Sequence, residues 1–178
     1  IMYSGRGIKQ KIEEIKLGLK QNNQSLFSKN FSKQLKLAFL ISFFNQLSGI
    51  NFVLYYAPQI LESAGFGTSD SLMSSISIGF INLVFTLVGV RLIDSFGRKF
   101  LMYVGSIGYI VGLISIGSCF LFNLSSDTLL IFILLFIASH AVGQGAVIWV
   151  FISEIFPNSV RAKGQSFGAG VHLSLIHI

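Results

Sequence analysis

Charge is what this sequence has least of. Asp, Glu, Lys and Arg make up 11% of its 178 residues, against roughly 25% in soluble domains, while 52% are hydrophobic. With a mean hydropathy of +0.72, water is not its main solvent. The single cysteine, Cys119, falls inside an apolar stretch, which excludes an intrachain disulfide and carries no information on redox compartment. No signal peptide is expected, because the first 35 residues are polar or amphipathic and lack an apolar core followed by a cleavage site. The chain opens at Ile1, without an initiator Met.

What is present is apolar sequence in long blocks. Each is long enough to cross a hydrocarbon core of about 30 Å as a helix of about 20 residues. The pattern predicts spans at 37–57, 72–93, 101–122 and 129–152, with a fifth beginning near 165. The blocks lack the strict apolar/polar alternation of barrel strands, and inside lipid the backbone must satisfy its own polar groups, so helices remain. The expected fold class is all-α, a polytopic transmembrane helix bundle. Gly49, Gly79, Gly89, Gly105, Gly108, Gly112, Gly117, Gly143 and Gly145 lie within the spans, which favours packed helices over independent anchors.

The net charge of +6 could suggest a nucleic-acid partner, but the placement of the basic residues argues against one. Eight of the 13 precede the first span: Arg6, Lys9, Lys11, Lys16, Lys20, Lys29, Lys33 and Lys36. Arg91, Arg98, Lys99, Arg161 and Lys163 fall on the same side if the chain weaves across a bilayer. The connectors on the other side, 58–71 and 123–128, carry Glu62, Asp70 and Asp127 and no Lys or Arg. The positive-inside rule therefore puts the N-terminal segment and the loops at 94–100 and 153–164 in the cytoplasm. Residues 1–35 read as a cytoplasmic segment: Ile8, Ile12, Ile15 and Leu19 recur at helical spacing over 8–20, and a polar linker follows over 21–33. A solvated linker helix with no role beyond connection is the plainer alternative.

The first span carries three amides at membrane depth, Asn45, Gln46 and Asn51, within Phe43-Phe44-Asn45-Gln46-Leu47-Ser48-Gly49-Ile50-Asn51. An intramembrane amide is costly unless it faces a cavity or a partner, and Asn and Gln both donate and accept, as sugar hydroxyls do. On a straight helix Gln46 and Asn51 stand about 140° apart. Both reach one cavity only if the helix is locally unwound, for which Gly49 is suited.

This stretch, continued by Tyr55 and Tyr56, resembles the sugar porter family of the major facilitator superfamily, whose seventh helix carries Gln-Leu-Ser-Gly-Ile-Asn followed by paired tyrosines. The resemblance implies that Gln46 and Asn51 bind sugar hydroxyls and that Tyr55 and Tyr56 help close the outer side. Amides that merely join helices are the plainer alternative. Asp94-Ser95-Phe96-Gly97-Arg98-Lys99 resembles the family loop between helices eight and nine, and 153–164 the loop between ten and eleven. Asp94, Arg98, Glu154 and Arg161 are thereby implied as a cytoplasmic latch, the alternative being solvated charges that anchor topology.

Asn82 matches a sugar-contacting Asn, Trp149 the tryptophan of helix ten that lines the sugar cavity, and His172 a polar position of helix eleven. Trp149 could also be an interfacial anchor. The run Gly143-Gln144-Gly145-Ala146-Val147-Ile148-Trp149 lacks the prolines that bend helix ten in many members. Ala141 stands where some members place a sugar-binding acid, and the neighbouring His140 reads as a packed polar residue rather than a ligand. Residues 173–178 depart from the pattern, with Leu173 where the family usually has Trp, and read as a truncation or artefact tail.

The resemblance covers residues 36–172 as transmembrane helices, about helices seven to eleven of the C-terminal half of a major facilitator fold. It implies a carrier of a monosaccharide, hexose or pentose, working by alternating access as a facilitator or a proton symporter, together with the absent N-terminal half and surrounding lipid. A transporter-like sugar sensor is the competing class. An enzyme is disfavoured, because the spans hold no paired carboxylates, no His cluster and no activated nucleophile. No cofactor or metal is implied. The expected location is a membrane, plasma or cell inner, crossed several times.

Overall fold

The structure, a computed structural model, describes residues 25–177. The helix expected over 8–20, and the linker as far as residue 24, lie outside the described residues. Those described are helical with no strand. After a 3₁₀ turn at Lys29–Phe31 come α1 (Ser32–Leu47), α2 (Ile50–Tyr55), α3 (Ala57–Ser63), α4 (Thr68–Phe96), α5 (Arg98–Leu121) and α6 (Ser126–His140). A wide π-type turn, Ala141–Gly145, leads into α7 (Val147–Ile155), and α8 follows at Arg161–Ser174.

Four helical runs are long and apolar enough to cross a membrane: Lys29–Tyr55, Thr68–Phe96, Arg98–Leu121 and Ser126–Ile155. These are the four expected spans, beginning three to eight residues earlier and ending within three residues of the expected ends. At 1.5 Å per residue the 29 residues of α4 extend about 43 Å, enough to project beyond the hydrocarbon. The fifth helix begins at Arg161, earlier than expected, and continues past residue 172 to Ser174. Large apolar side chains such as Leu83, Leu87, Ile107, Ile114 and Ile131 point outward, as a helix surface bathed in lipid tails requires.

The bundle has two ends. At one, Ser126 Oγ donates to the Ala64 carbonyl, joining the connector after α3 to the start of α6. Below it Ile50, Ala57, Leu61, Ile78, Leu129, Ile133, Phe136 and Ile137 form the larger core. At the other end Leu26, Phe31, Ala38, Ile148, Ile152, Phe156 and Val160 pack the start of α1 against α7 and the turn before α8. Gly97 and residues 156–160 share this second end, so the basic connectors fall together and the acidic ones fall opposite.

Small residues set how close the helices come. Gly105, Gly108 and Gly112 of α5 face Gly143, Ser139 and Phe136 of the antiparallel α6 and its turn. A Cβ on either Gly105 or Gly143 would collide with the other's Cα, so backbone lies directly on backbone there.

Candidate functional site

The first span is not one helix. α1 stops at Leu47, Gly49 takes a left-handed conformation (φ 81°, ψ 11°), and α2 restarts at Ile50. A β-carbon disfavours that conformation, and glycine has none. The break brings Gln46 and Asn51 together: Asn51 Nδ2 donates to Gln46 Oε1 at 3.0 Å. A regular helix would hold these two side chains on different faces.

Asn45, beside Gln46, is 8% exposed, and its Nδ2 lies 3.4 Å from His172 Nδ1 on α8. Its Oδ1 is buried without a hydrogen-bond partner. His172 meets the Trp149 ring edge-on at 5.3 Å. Asn45, His172 and Trp149 thus form one chain of polar and aromatic groups drawn from α1, α8 and α7. Asn45 is a residue that the sequence reading counted among the intramembrane amides but left out of the site. The signal that could have found it is its adjacency to Gln46 at the point where the helix breaks.

The other expected residues are placed less tightly. Asn82 is half-buried on α4, and among the described residues its side chain bonds to none of Asn45, Gln46, Asn51 and His172. Tyr55 and Tyr56 are exposed at the end of α2, where Tyr56 lies 5.3 Å from Phe52, ring to ring. Ala141 is fully buried in the wide turn after α6. That turn stands where prolines were found wanting, so a π-type bulge distorts this helix without them. His140 is buried at its start and bonded to Tyr109 of α5, with 3.1 Å between Nδ1 and the hydroxyl. A cavity of about 500 Å³ opens nearby between α1 and α5, lined by Asn45, Ser48, Ser106, Tyr109 and Gln144 beneath a rim of apolar side chains.

At the Gly97 end, Arg98 reaches a single oxygen of Glu154, with Nη2 at 2.8 Å and Nε at 3.1 Å. Asp94, one turn before Arg98, is looser at 3.9 Å and its side chain is 86% exposed. Arg161 is exposed and joins neither Asp94 nor Glu154 among the described residues. Three of the four expected residues therefore meet and the fourth stands apart. Among the described residues no three His, Cys, Asp or Glu side chains gather as a metal site.

Several membrane-length helices, two of them interrupted, with paired amides at depth, give the described residues the architecture of the major facilitator fold. Residues 4–175 match the family described as sugar (and other) transporter, and the chain belongs to that family. It is 40% identical over 124 residues to the D-xylose-proton symporter of Escherichia coli (strain K12), covering 70% of this chain and 25% of that protein. To the arabinose-proton symporter of Bacillus subtilis (strain 168) it is 39% identical over 139 residues, covering 78% of this chain and 30% of the other. A crystal structure of D-xylose-proton symporter superposes with a TM-score of 0.76 at 32% identity, covering 98% of this chain and 40% of that one. The chain thus spans under half the length of these relatives, and its family and apolar helices mark a multi-pass membrane protein.

Proposed function

We propose that the protein to which this chain belongs moves a monosaccharide across a membrane by alternating access, with this chain forming one wall of the site. Support comes from relatives whose names specify xylose and arabinose carried with protons, and from one named as a glucose facilitated diffusion protein, of Zymomonas mobilis. The observation that carries the reading is the break at Gly49, which pairs Gln46 with Asn51 at 3.0 Å in an apolar span. That bond uses one Asn51 N–H and the Gln46 side-chain oxygen, and can be exchanged for bonds to a sugar's hydroxyls, to which the remaining N–H and carbonyl groups of the pair are also open.

In this reading Gln46, Asn51 and Asn45 hydrogen-bond the sugar. Trp149 covers an apolar face of the ring with its N–H free for a hydroxyl, and His172 and Asn82 add polar contacts. Tyr55 and Tyr56 close one side. Asp94, Arg98, Glu154 and Arg161 work at the other, which we assign to the cytoplasm from the basic connectors. The partners are the rest of the same transporter, lipid, a pentose or hexose, and protons if transport is coupled. Residues 1–35 serve as a cytoplasmic lead-in.

The test is equilibrium sugar binding to the purified full-length protein. A buried hydroxyl left unpaired costs about 1 to 3 kcal/mol, so Gln46→Ala or Asn51→Ala should weaken binding roughly 5- to 150-fold. If the amides only join helices, thermal stability falls instead and the folded fraction binds sugar with unchanged affinity.

A further inference from the structure

The sugar reading leaves unused a buried polar chain that links the two distorted turns. Interrupting the first span frees the Asn45 carbonyl. In a continuous helix it would accept from the Gly49 N–H, which here bonds the Gln46 carbonyl at 3.3 Å. The Ser48 hydroxyl donates to it instead. A serine has one proton, so its oxygen is left to accept, and the Tyr109 hydroxyl of α5 lies against it. With that proton committed to Ser48, the Tyr109 oxygen accepts from His140 Nδ1 at 3.1 Å. The chain runs one way, from His140 through Tyr109 and Ser48 to the Asn45 carbonyl. Nδ1 therefore carries the proton, and in the neutral ring Nε2 is an acceptor.

Both rings are fixed in place. Tyr109 stands edge-on to Phe136 at 4.7 Å and to His140 at 5.6 Å. His140 folds over the wide turn, its Nε2 3.4 Å from where a Cβ on Gly145 would stand.

We propose that Tyr109 and His140 are positioning residues of the sugar site, pinning the break in the first span to the wide turn after α6 and so fixing the angle at which Asn45 and Gln46 meet a sugar. The assignment rests on the sugar reading above. It gives His140 a task beyond packing and makes Tyr109, a residue with no place in the motif set, part of the site.

The experiment uses the full-length protein with D-xylose, L-arabinose and D-glucose as probes. Tyr109→Phe keeps the ring and removes the hydroxyl, and should weaken binding of the accepted sugar roughly 2- to 12-fold with the folded fraction unchanged. His140→Phe should do the same, and the double variant should lose no more than the larger single loss, since both cut one chain. His140→Asn, which returns a donor near the place of Nδ1, should recover most of the affinity. In ¹⁵N-histidine spectra His140 should be protonated on Nδ1 in the parent and revert to Nε2–H in Tyr109→Phe. The inference is overturned if Gln46→Ala weakens binding while Tyr109→Phe and His140→Phe do not, if the two losses add, or if they follow loss of folded protein alone. Unchanged affinity in Gln46→Ala as well removes the sugar reading and this inference together.

Discussion

Gln46 and Asn51 show how much one glycine decides. Their types and depth mark them as polar groups needing partners, but their spacing sets them on different faces of a helix. Only the left-handed backbone at Gly49 lets them meet at 3.0 Å. A Cβ at Gly49 would touch nothing within 4 Å, so Gly49→Ala introduces no clash and acts through backbone strain alone, about 1 to 2 kcal/mol. We expect that strain to favour a continuous helix that separates the amides. Sugar affinity of the full-length protein should then fall in Gly49→Ala while both amides remain, which titration calorimetry can measure; unchanged affinity would show that the break is dispensable. The spacing of the two amides, about 140° on a straight helix, and the glycine between them made a break legible as the condition for their sharing a cavity. What could not be read was the bond between Asn45 and His172, which depends on residues 127 positions apart sharing a contact. The pairing of Ser48 with Tyr109, between two different spans, was hidden for the same reason.

At the scale of elements, the spans were legible because lipid imposes a length and a hydropathy on each, and both are local properties of sequence. The turn at Ala141–Gly145 was not. Prolines announce a bend, whereas a π-type turn needs only one extra residue between carbonyl and amide, and Ala-Val-Gly-Gln-Gly carries no such mark. The turn is held by what it packs on: Gly143 lies on Gly105, and the Leu101 carbonyl stands 2.9 Å from where a Gly143 Cβ would be. Gly105→Val or Gly143→Val must therefore push α5 away from α6, and overpacking of this kind costs about 1 to 3 kcal/mol or more. Gly79 and Gly117 provide the control, since a Cβ at either meets nothing within 4 Å. Gly79→Ala and Gly117→Ala should leave the melting temperature in detergent unchanged or raise it, because glycine inside a helix is the weaker choice by roughly 0.5 to 1 kcal/mol. Equal destabilisation by all four substitutions would mean that the seam has no special role.

On the scale of the whole molecule, the Arg98–Glu154 pair ties the start of α5 to the end of α7, two elements that must part if this end of the site opens. The four residues implied by family resemblance are not equivalent here, and their geometry ranks them. Arg98 spends Nη2 and Nε on one Glu154 oxygen, Asp94 lies 3.9 Å off, and Arg161 joins neither acid. Side-chain exposures of 33% for Arg98 and 45% for Glu154 keep the pair in reach of water, where such contacts are worth little. A difference of about 0.2 to 1 kcal/mol shifts a two-state equilibrium roughly 1.4- to 5-fold. In the full-length protein, with Cys119 replaced, a cysteine placed in the cavity on the Gly97 side reports the open fraction through its rate of labelling. Arg98→Ala and Glu154→Gln should each raise that rate a few-fold, and the double variant no further, because one bond is lost either way. Asp94→Asn should raise it less, and Arg161→Ala should leave it unchanged. Rates equal to the parent in all four variants would reduce these charges to markers of topology; a large effect confined to Arg161→Ala would mean that the latch closes against a group outside the described residues.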